Sequence, residues 1–210
     1  AACVLVIDKE GAANRQGIFM IDASHGYVKD GNKNRLRERD IYRIITTFNE
    51  QITTDPKYAR FVLNDEIEKK NEYNLNITRY IDSTDPEDIQ DIYAHIHGGI
   101  PAVDIDGLKK YWGVFPSLKT ELLTAISEKY YNLNVEHENI RQTIYKNAEF
   151  SEYGEKLDDA FAAWKSKEYP ALSTLDEDVS ARELIASLAE AILIEFENLT
   201  LIDKYDVYQV

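Results

Sequence analysis

Few residues of this 210-residue chain have the types and spacing for covalent chemistry. His95 and His97 flank Ile96. On a helix, residues two apart point to different faces, and a zinc site wants histidines at i, i+4 or a mixed cluster, so the pair reads as helix-end polar residues. Asp104 and Asp106 suggest paired carboxylates, but a helix running on through Leu108 and Trp112 makes one of them a capping residue. An enzyme built on that pair would need a perturbed carboxylate in a cleft. Ser24 and His25 have no companion acid at a telling place and no glycine elbow, which argues against nucleophilic catalysis. Gly98-Gly99 lacks the lysine and hydroxyl residue of a phosphate loop. The single cysteine, Cys3, leaves no internal disulfide and no cysteine metal cluster.

Two stretches suit binding better. "VKDGNKNRLRERDIYR", Val28 to Arg43, is locally basic: Lys29, Lys33, Arg35, Arg37, Arg39 and Arg43 outweigh Asp30, Glu38 and Asp40. It reads either as a solvated helix face laced with ion pairs or as an edge that contacts phosphates through Lys33, Arg35, Arg37, Arg39 and Arg43. "NEYNLNITRYID", Asn71 to Asp82, has no helix or strand period. Asn74 and Asn76 can bond backbone in place of a regular ladder, Tyr73 and Tyr80 can anchor by burial, and Arg79 offers five donors.

These residues must be positioned by elements that the hydrophobic pattern outlines. "CVLVID" (Cys3 to Asp8) and "IFMIDAS" (Ile18 to Ser24) are apolar runs around a turn-rich loop, expected to pair as a hairpin. Both are nearly continuous in apolar residues, so they read as strands covered on both faces at the edge of a larger sheet, with the chain beginning inside a strand. Ile41, Ile44, Ile45, Phe48 and Ile52 recur at helical spacing. A further helix is expected to start at Asp85–Pro86, carry Ile89, Ile92, Tyr93 and Ile96 on its apolar face, and end at Gly98-Gly99. "DIDGLKKYWGVFPSLKTELLTAISEKYY" reads as two helices broken near Pro116, and "HENIRQTIYKN" as another. Tyr153, Leu157, Phe161 and Trp164 share a stripe, and "SARELIASLAEAILIEF" is a strong helix with Ser180 and Glu183 placed as a capping box. The fold class expected is mainly α with a small β-hairpin.

The net charge of −14 makes the chain a poor free-standing nucleic-acid clamp, although it could sit in a larger assembly whose positive charge lies elsewhere. No apolar stretch is long enough to span a bilayer, and one cysteine suits a reducing cytoplasm.

"NEYNLNITRYID" resembles the N-x-Y-N-L-N-x-x-R-Y motif found late in the modification (M) subunits of type I restriction-modification systems, which are N6-adenine DNA methyltransferases. "ACVLVID…GIFMIDAS" resembles the last strands of that family's sheet. "HGGIPAVDIDGLKKYWGVFPSLKTELL" resembles its G-G-I-P-x-x-D-I and Y-W-x-x-F-P-x-L segments, and "LIDKYDVYQ" its L-L-D-x-Y-D-V-Y-Q segment.

The resemblance implies the last strands of a Rossmann-like methyltransferase sheet followed by a multi-helix carboxyl-terminal region. It divides the chain into a catalytic-domain remnant with the junction motif (1–82) and a helical region (83–210). The family's glycine-rich turn for S-adenosylmethionine and its [ND]-P-P-[FYW] motif for a flipped adenine do not occur here. The resemblance therefore implies a subunit fragment that is inactive alone and holds no cofactor, with S-adenosylmethionine bound elsewhere in the parent. Implied partners are a specificity (S) subunit, a restriction (R) subunit and a second M subunit, with DNA met through the assembled complex. Tyr73, Asn74, Asn76, Arg79 and Tyr80 then form either a domain junction or a surface facing DNA or the target-base pocket. A stand-alone helical interaction module without methyltransferase activity is the alternative.

Overall fold

A computed structural model of the chain describes residues 3–84, 90–174 and 179–209. The fold is mainly helical with small antiparallel sheets and divides into two compact units, Ala1–Pro86 and Glu87–Val210.

The first unit contains β1 (Gly17–Ile21), β2 (Val28–Asp30), β3 (Lys33–Arg35), α1 (Glu38–Glu50) and β4 (Ala59–Leu63). β1 pairs antiparallel with β4, Gly17 facing Leu63 and Ile21 facing Ala59. Only glycine fits at position 17, because a Cβ there would fall on the Val62 carbonyl oxygen. Met20, Val62, Ile67, Tyr80 and Ile81 form the core.

The hairpin expected between Cys3–Asp8 and Ile18–Ser24 is not formed. β1 exists, but its partner is β4, and Val4 to Ile7 are exposed. Local bonding diverts the first run: Asp8 accepts from the Glu10 amide at 2.9 Å, and Arg15 donates to the Asp8 carbonyl at 2.7 Å and to the Asp8 carboxylate. The small antiparallel hairpin of this unit lies later, where β2 meets β3 around Gly31 in the left-handed region.

α1 stands where the isoleucine spacing predicts it, but Ile41, Ile45 and Phe48 face solvent while Asp40 and Thr47 are buried. The helix is oriented by its polar start. The Arg37 amide and guanidinium both donate to Asp40, at 2.9 and 2.8 Å, so the Asp40 carboxylate reaches back to hold the residue before the first turn. Gln51 ends the helix in the left-handed region, so Ile52 lies beyond it.

The second unit contains α2 (Ile92–His97), β5 (Ile100–Pro101), α3 (Ala102–Gly107), α4 (Lys109–Val114), α5 (Pro116–Leu122), β6 (Leu123–Ala125), β7 (Tyr130–Leu133), α6 (Ile140–Lys146), α7 (Ala148–Ser173), α8 (Ala181–Glu195) and α9 (Lys204–Tyr208). The expected start at Asp85–Pro86, and Ile89, lie outside the described residues. α2 is instead capped by Asp91, which accepts from the Ala94 amide at 2.9 Å, and it ends at Gly98. Ile92, Tyr93 and Ile96 are exposed.

The segment after Pro116 corrects the sequence reading: helix gives way to strand at Leu123. Asn134 makes the switch, donating to the carbonyls of Thr120 and Glu121 at 3.1 and 3.2 Å and so satisfying the last turn of α5. β6 and β7 then pair antiparallel, with β5 on the other side of β7.

Ile105, Phe115, Leu118, Leu122 and Leu123 form the core of this unit, ringed by Trp112, Phe150 and Tyr153. α7 begins at a buried Asn147, whose side chain accepts from the amides of Glu149 and Phe150 and donates to Ser117 and Glu121. Ser180 caps α8 by accepting from the Glu183 amide. No helix of the described residues is long and apolar enough to cross a membrane.

Candidate functional site

The asparagine-rich motif is a knot fastened at one end to the core of the first unit. A wide helical turn, Glu66–Lys70, precedes it. Glu72 and Tyr73 then follow one another in the left-handed region, at φ 51° and 61°. That conformation is costly for residues with a Cβ and persists only where surrounding bonds over-determine it. Here the Tyr73 amide donates to the Ile67 carbonyl at 2.9 Å, the Asn74 amide to the Asn71 carbonyl at 2.8 Å, and the Asn71 side chain to the Glu66 carbonyl at 3.2 Å. Asn74 accepts from the Asn76 amide at 2.9 Å, and the Tyr80 hydroxyl donates to the Asn74 carbonyl.

The two tyrosines have different roles. Tyr80 is buried beside Ile81 and anchors the knot. Tyr73, expected to anchor as well, is 68% exposed because its left-handed backbone turns it outward. Its hydroxyl bonds the Glu68 carboxylate, the main cause of its raised pKa. Asn76 accepts from the Thr78 hydroxyl, and Arg79 is exposed.

Below the knot lies a cluster that adjacency in sequence could not reveal. Asp22, at the end of β1, accepts from the Ser24 amide at 3.0 Å and from the Ser83 hydroxyl at 2.8 Å. His25 Nε2 stands 3.3 Å from that same hydroxyl. Serine, histidine and aspartate are thus together, but in the wrong order for nucleophilic catalysis. Ser83 gives its proton to Asp22, and the histidine is not held between the two. Burial pushes the Asp22 carboxyl up, but the hydrogen bonds from Ser24 and Ser83, with the nearby His25, outweigh it and leave its pKa lowered. The cluster is a clasp joining residues 61 positions apart.

The basic segment separates into two groups. Arg37 is bidentate on buried Asp40, Arg39 lies 3.7 Å from the same carboxylate, and Arg43 pairs with Asp55 at 3.0 Å and lies over the Tyr58 ring at 3.7 Å. These three arginines organise α1. Lys33 and Arg35 instead lie on the exposed β2–β3 hairpin with Lys29.

In the second unit, Asp104 and Asp106 are exposed on α3, which starts before them at Ala102, so neither serves as its cap. His97 packs its ring 4.4 Å from Tyr93, which in turn meets Tyr130. Among the described residues no group of three histidine, cysteine or acidic side chains is disposed to hold a metal. A groove of about 490 Å³ is lined by His137, Ile140, Arg141, Ile144, Tyr145 and Phe150.

Residues 1–89 match the N-6 DNA Methylase family. A stretch of 104 residues is 30% identical to the type I restriction enzyme MpnII methylase subunit of Mycoplasma pneumoniae (strain ATCC 29342 / M129 / Subtype 1). The alignment covers 50% of this chain and 19% of that protein, so the chain spans about a fifth of the relative's length. No solved structure matches the chain. By these matches residues 1–89 are similar to N-6 DNA methylases, and the aligned 104 residues are similar to a type I restriction enzyme methylase subunit.

Proposed function

We propose that this chain acts as the non-catalytic, carboxyl-terminal part of a type I modification subunit, and that its helical unit docks the specificity subunit, a second modification subunit, or both. The observation that carries this reading is α7. It runs for 26 residues without one fully buried side chain, and it exposes Phe161 and Tyr169. α8 adds exposed Ile185 and Ile194. Helices of this length draw their stability mainly from packing an apolar face, so such a surface fits a helical partner. Charge supports protein over phosphate as the direct contact: residues 87–210 carry 11 Lys and Arg against 24 Asp and Glu.

On this reading β1 and β4 are strands of a Rossmann-like sheet completed by other parts of the subunit, and DNA and the restriction subunit are met through the assembly. The chain does not itself bind S-adenosylmethionine. The groove at His137–Phe150 fits that cofactor poorly, since Arg141 would oppose the cationic sulfonium and no carboxylate lines it to accept the ribose hydroxyls. Calorimetric titration of S-adenosylmethionine into the chain is expected to give no heat, and tight saturable binding would overturn this assignment. Co-expression with a type I specificity subunit is expected to give a co-eluting complex, lost on Phe161→Glu with Tyr169→Glu. Undiminished co-elution of that variant would remove α7 from the interface.

A second reading, a self-sufficient helical interaction module, draws on the second unit having its own apolar core. It would hold if the chain bound helical partners unrelated to any restriction system.

A further inference from the structure

The charge of the molecule is unevenly distributed. Residues 1–86 carry 13 Lys and Arg against 14 Asp and Glu, so nearly all of the net charge of −14 lies in the second unit. Within the near-neutral first unit, several basic side chains away from the β2–β3 hairpin are paired with carboxylates. Arg15 meets Asp8, Arg37 meets Asp40, Arg43 meets Asp55, Arg60 meets Glu66 and Lys69 meets Asp65.

The β2–β3 hairpin differs. Every residue of both strands is exposed. Its register sets Asp30 opposite Lys33, Lys29 opposite Asn34 and Val28 opposite Arg35. Side chains alternate across a ribbon, so Lys33 and Arg35 share one face with Asp30, while Lys29 lies on the other with Tyr27. Lys29 donates to the neutral Asn34 amide at 2.8 Å and lies 5.6 Å from the Tyr27 ring, contacts that aim its charge without cancelling it. Arg35 meets Asp30 only at 3.5 Å, with both side chains about two-thirds exposed, a pair worth little in water. Three cations and one acid thus sit on a two-stranded ribbon whose tight turn is held by Gly31 at φ 59°.

We propose that this hairpin is the part of the chain that contacts the sugar-phosphate backbone of duplex DNA, with Lys29, Lys33 and Arg35 as the phosphate-binding side chains. A two-stranded β-ribbon is narrow enough to enter a major groove, and cations on both faces can reach the phosphates of its two walls. The amides of Asn32 and Asn34 are neutral donors of the kind that accompany such contacts. The contact is independent of base sequence. The proposal rests on the methylase-subunit reading only for its choice of DNA over another polyanion. The first unit itself, with 13 Lys and Arg against 14 Asp and Glu, carries almost no net negative charge to oppose it.

The test is fluorescence anisotropy of a labelled 20-base-pair duplex titrated with the full chain between about 50 and 200 mM salt. The variant is Lys29→Gln/Lys33→Gln/Arg35→Gln, and the charge-matched control is Lys109→Gln/Lys146→Gln/Lys204→Gln. Three phosphate contacts contribute about −2.7 to the slope of log K against log salt. The hairpin variant is therefore expected to lose up to that much slope and to bind at least about tenfold more weakly at 0.1 M, while the control keeps the wild-type slope. All three hairpin side chains are exposed, so the variant should keep the wild-type Tm. An unchanged slope, an equal loss in the control, or no binding by the wild-type chain overturns the proposal. Competition by polyglutamate as effective as by DNA at equal charge overturns it too, in favour of an acidic protein surface. Co-elution of the same variant with a specificity subunit reports separately on the docking reading. If docking fails but the slope still depends on the hairpin, the docking reading falls and the hairpin assignment stands.

Discussion

The two units of this chain are stabilised by different forces. The first has a five-residue core and buries two carboxylates, Asp22 and Asp40, each bonded to its neighbours. It exposes many of its large apolar side chains, among them Val4 to Ile7, Ile41, Ile45 and Phe48. The second packs aromatic rings against one another: Phe115 meets Phe150 and Tyr153 at 5.6 Å each, and Phe150 meets Tyr145. Polar ties with precise geometry specify the first unit, and apolar volume specifies the second. The first should therefore respond to pH and to single hydrogen bonds, and the second to cavities.

The largest expected effect is on the aromatic core. Phe115→Ala removes a buried ring with two ring partners and should destabilise the second unit by about 3–5 kcal/mol. Both tryptophans, Trp112 and Trp164, lie in this unit, so urea unfolding followed by tryptophan fluorescence isolates it. An equal loss of amide protection in β1 and β4 would break the comparison, because the units would then unfold as one.

Next comes the clasp. Asp22→Asn keeps the size of the side chain but removes the charge that Ser24 and Ser83 bond, a loss of about 1.5–3 kcal/mol confined to the first unit. Hydrogen exchange at β1 and β4 checks it.

Acid should act in the same place. In the folded state Asp22 and Asp40 titrate below the ordinary carboxylate value. For Asp40, burial raises the pKa, but the bonds from Arg37 and the charges of Arg37 and Arg39 outweigh it. The unfolded chain therefore takes up protons first. This stabilisation is complete at neutral pH and is lost as pH falls below about 4 through the lowered folded values. Amide exchange measured down that range should open β1 and β4 before the tryptophan signal of the second unit changes.

Smaller effects sharpen the account of the knot. Tyr80→Phe deletes the bond to the Asn74 carbonyl and should cost about 0.5–1.5 kcal/mol while leaving the ring in the core. Tyr73→Gly removes an exposed ring from a left-handed position, so the Tm should stay level or rise slightly. A fall would mean that the Tyr73–Glu68 bond outweighs the backbone strain.

What could be read from the sequence was local. The isoleucine spacing located α1, the Ser180 cap located α8, and Ile18 to Ile21 announced a strand. The relation of each element to its surroundings was less legible. The isoleucine spacing placed α1 but not its orientation: Ile41, Ile45 and Phe48 are exposed while Asp40 and Thr47 are buried, and the Asp40 contacts that orient the helix are not encoded in periodicity. The partner of β1 lay in Ala59–Leu63, beyond the reach of a pattern that compares neighbouring runs. Leu123 to Tyr131 passed for helix because its strand character depends on Asn134 capping the turn before it. The serine that joins Asp22 and His25 is Ser83 rather than adjacent Ser24, and only folding brings it there. Among the basic residues, the sequence could not separate arginines engaged by carboxylates from cations left on a ribbon.

The pairing of β1 with β4 has a consequence in time. Ile21 is made 38 residues before Ala59, the partner at its end of the ladder. At about 5–20 residues per second, a ribosome needs roughly 2–8 s to supply that partner. Throughout that interval Ile18 to Ile21 is a nascent apolar strand with an unpaired edge, and the clasp at Ser83 comes later still. The first unit is therefore most exposed to misassociation while it is being synthesised, and slowing translation between Asp22 and Tyr58 should lower its soluble yield more than slowing it anywhere after Thr84.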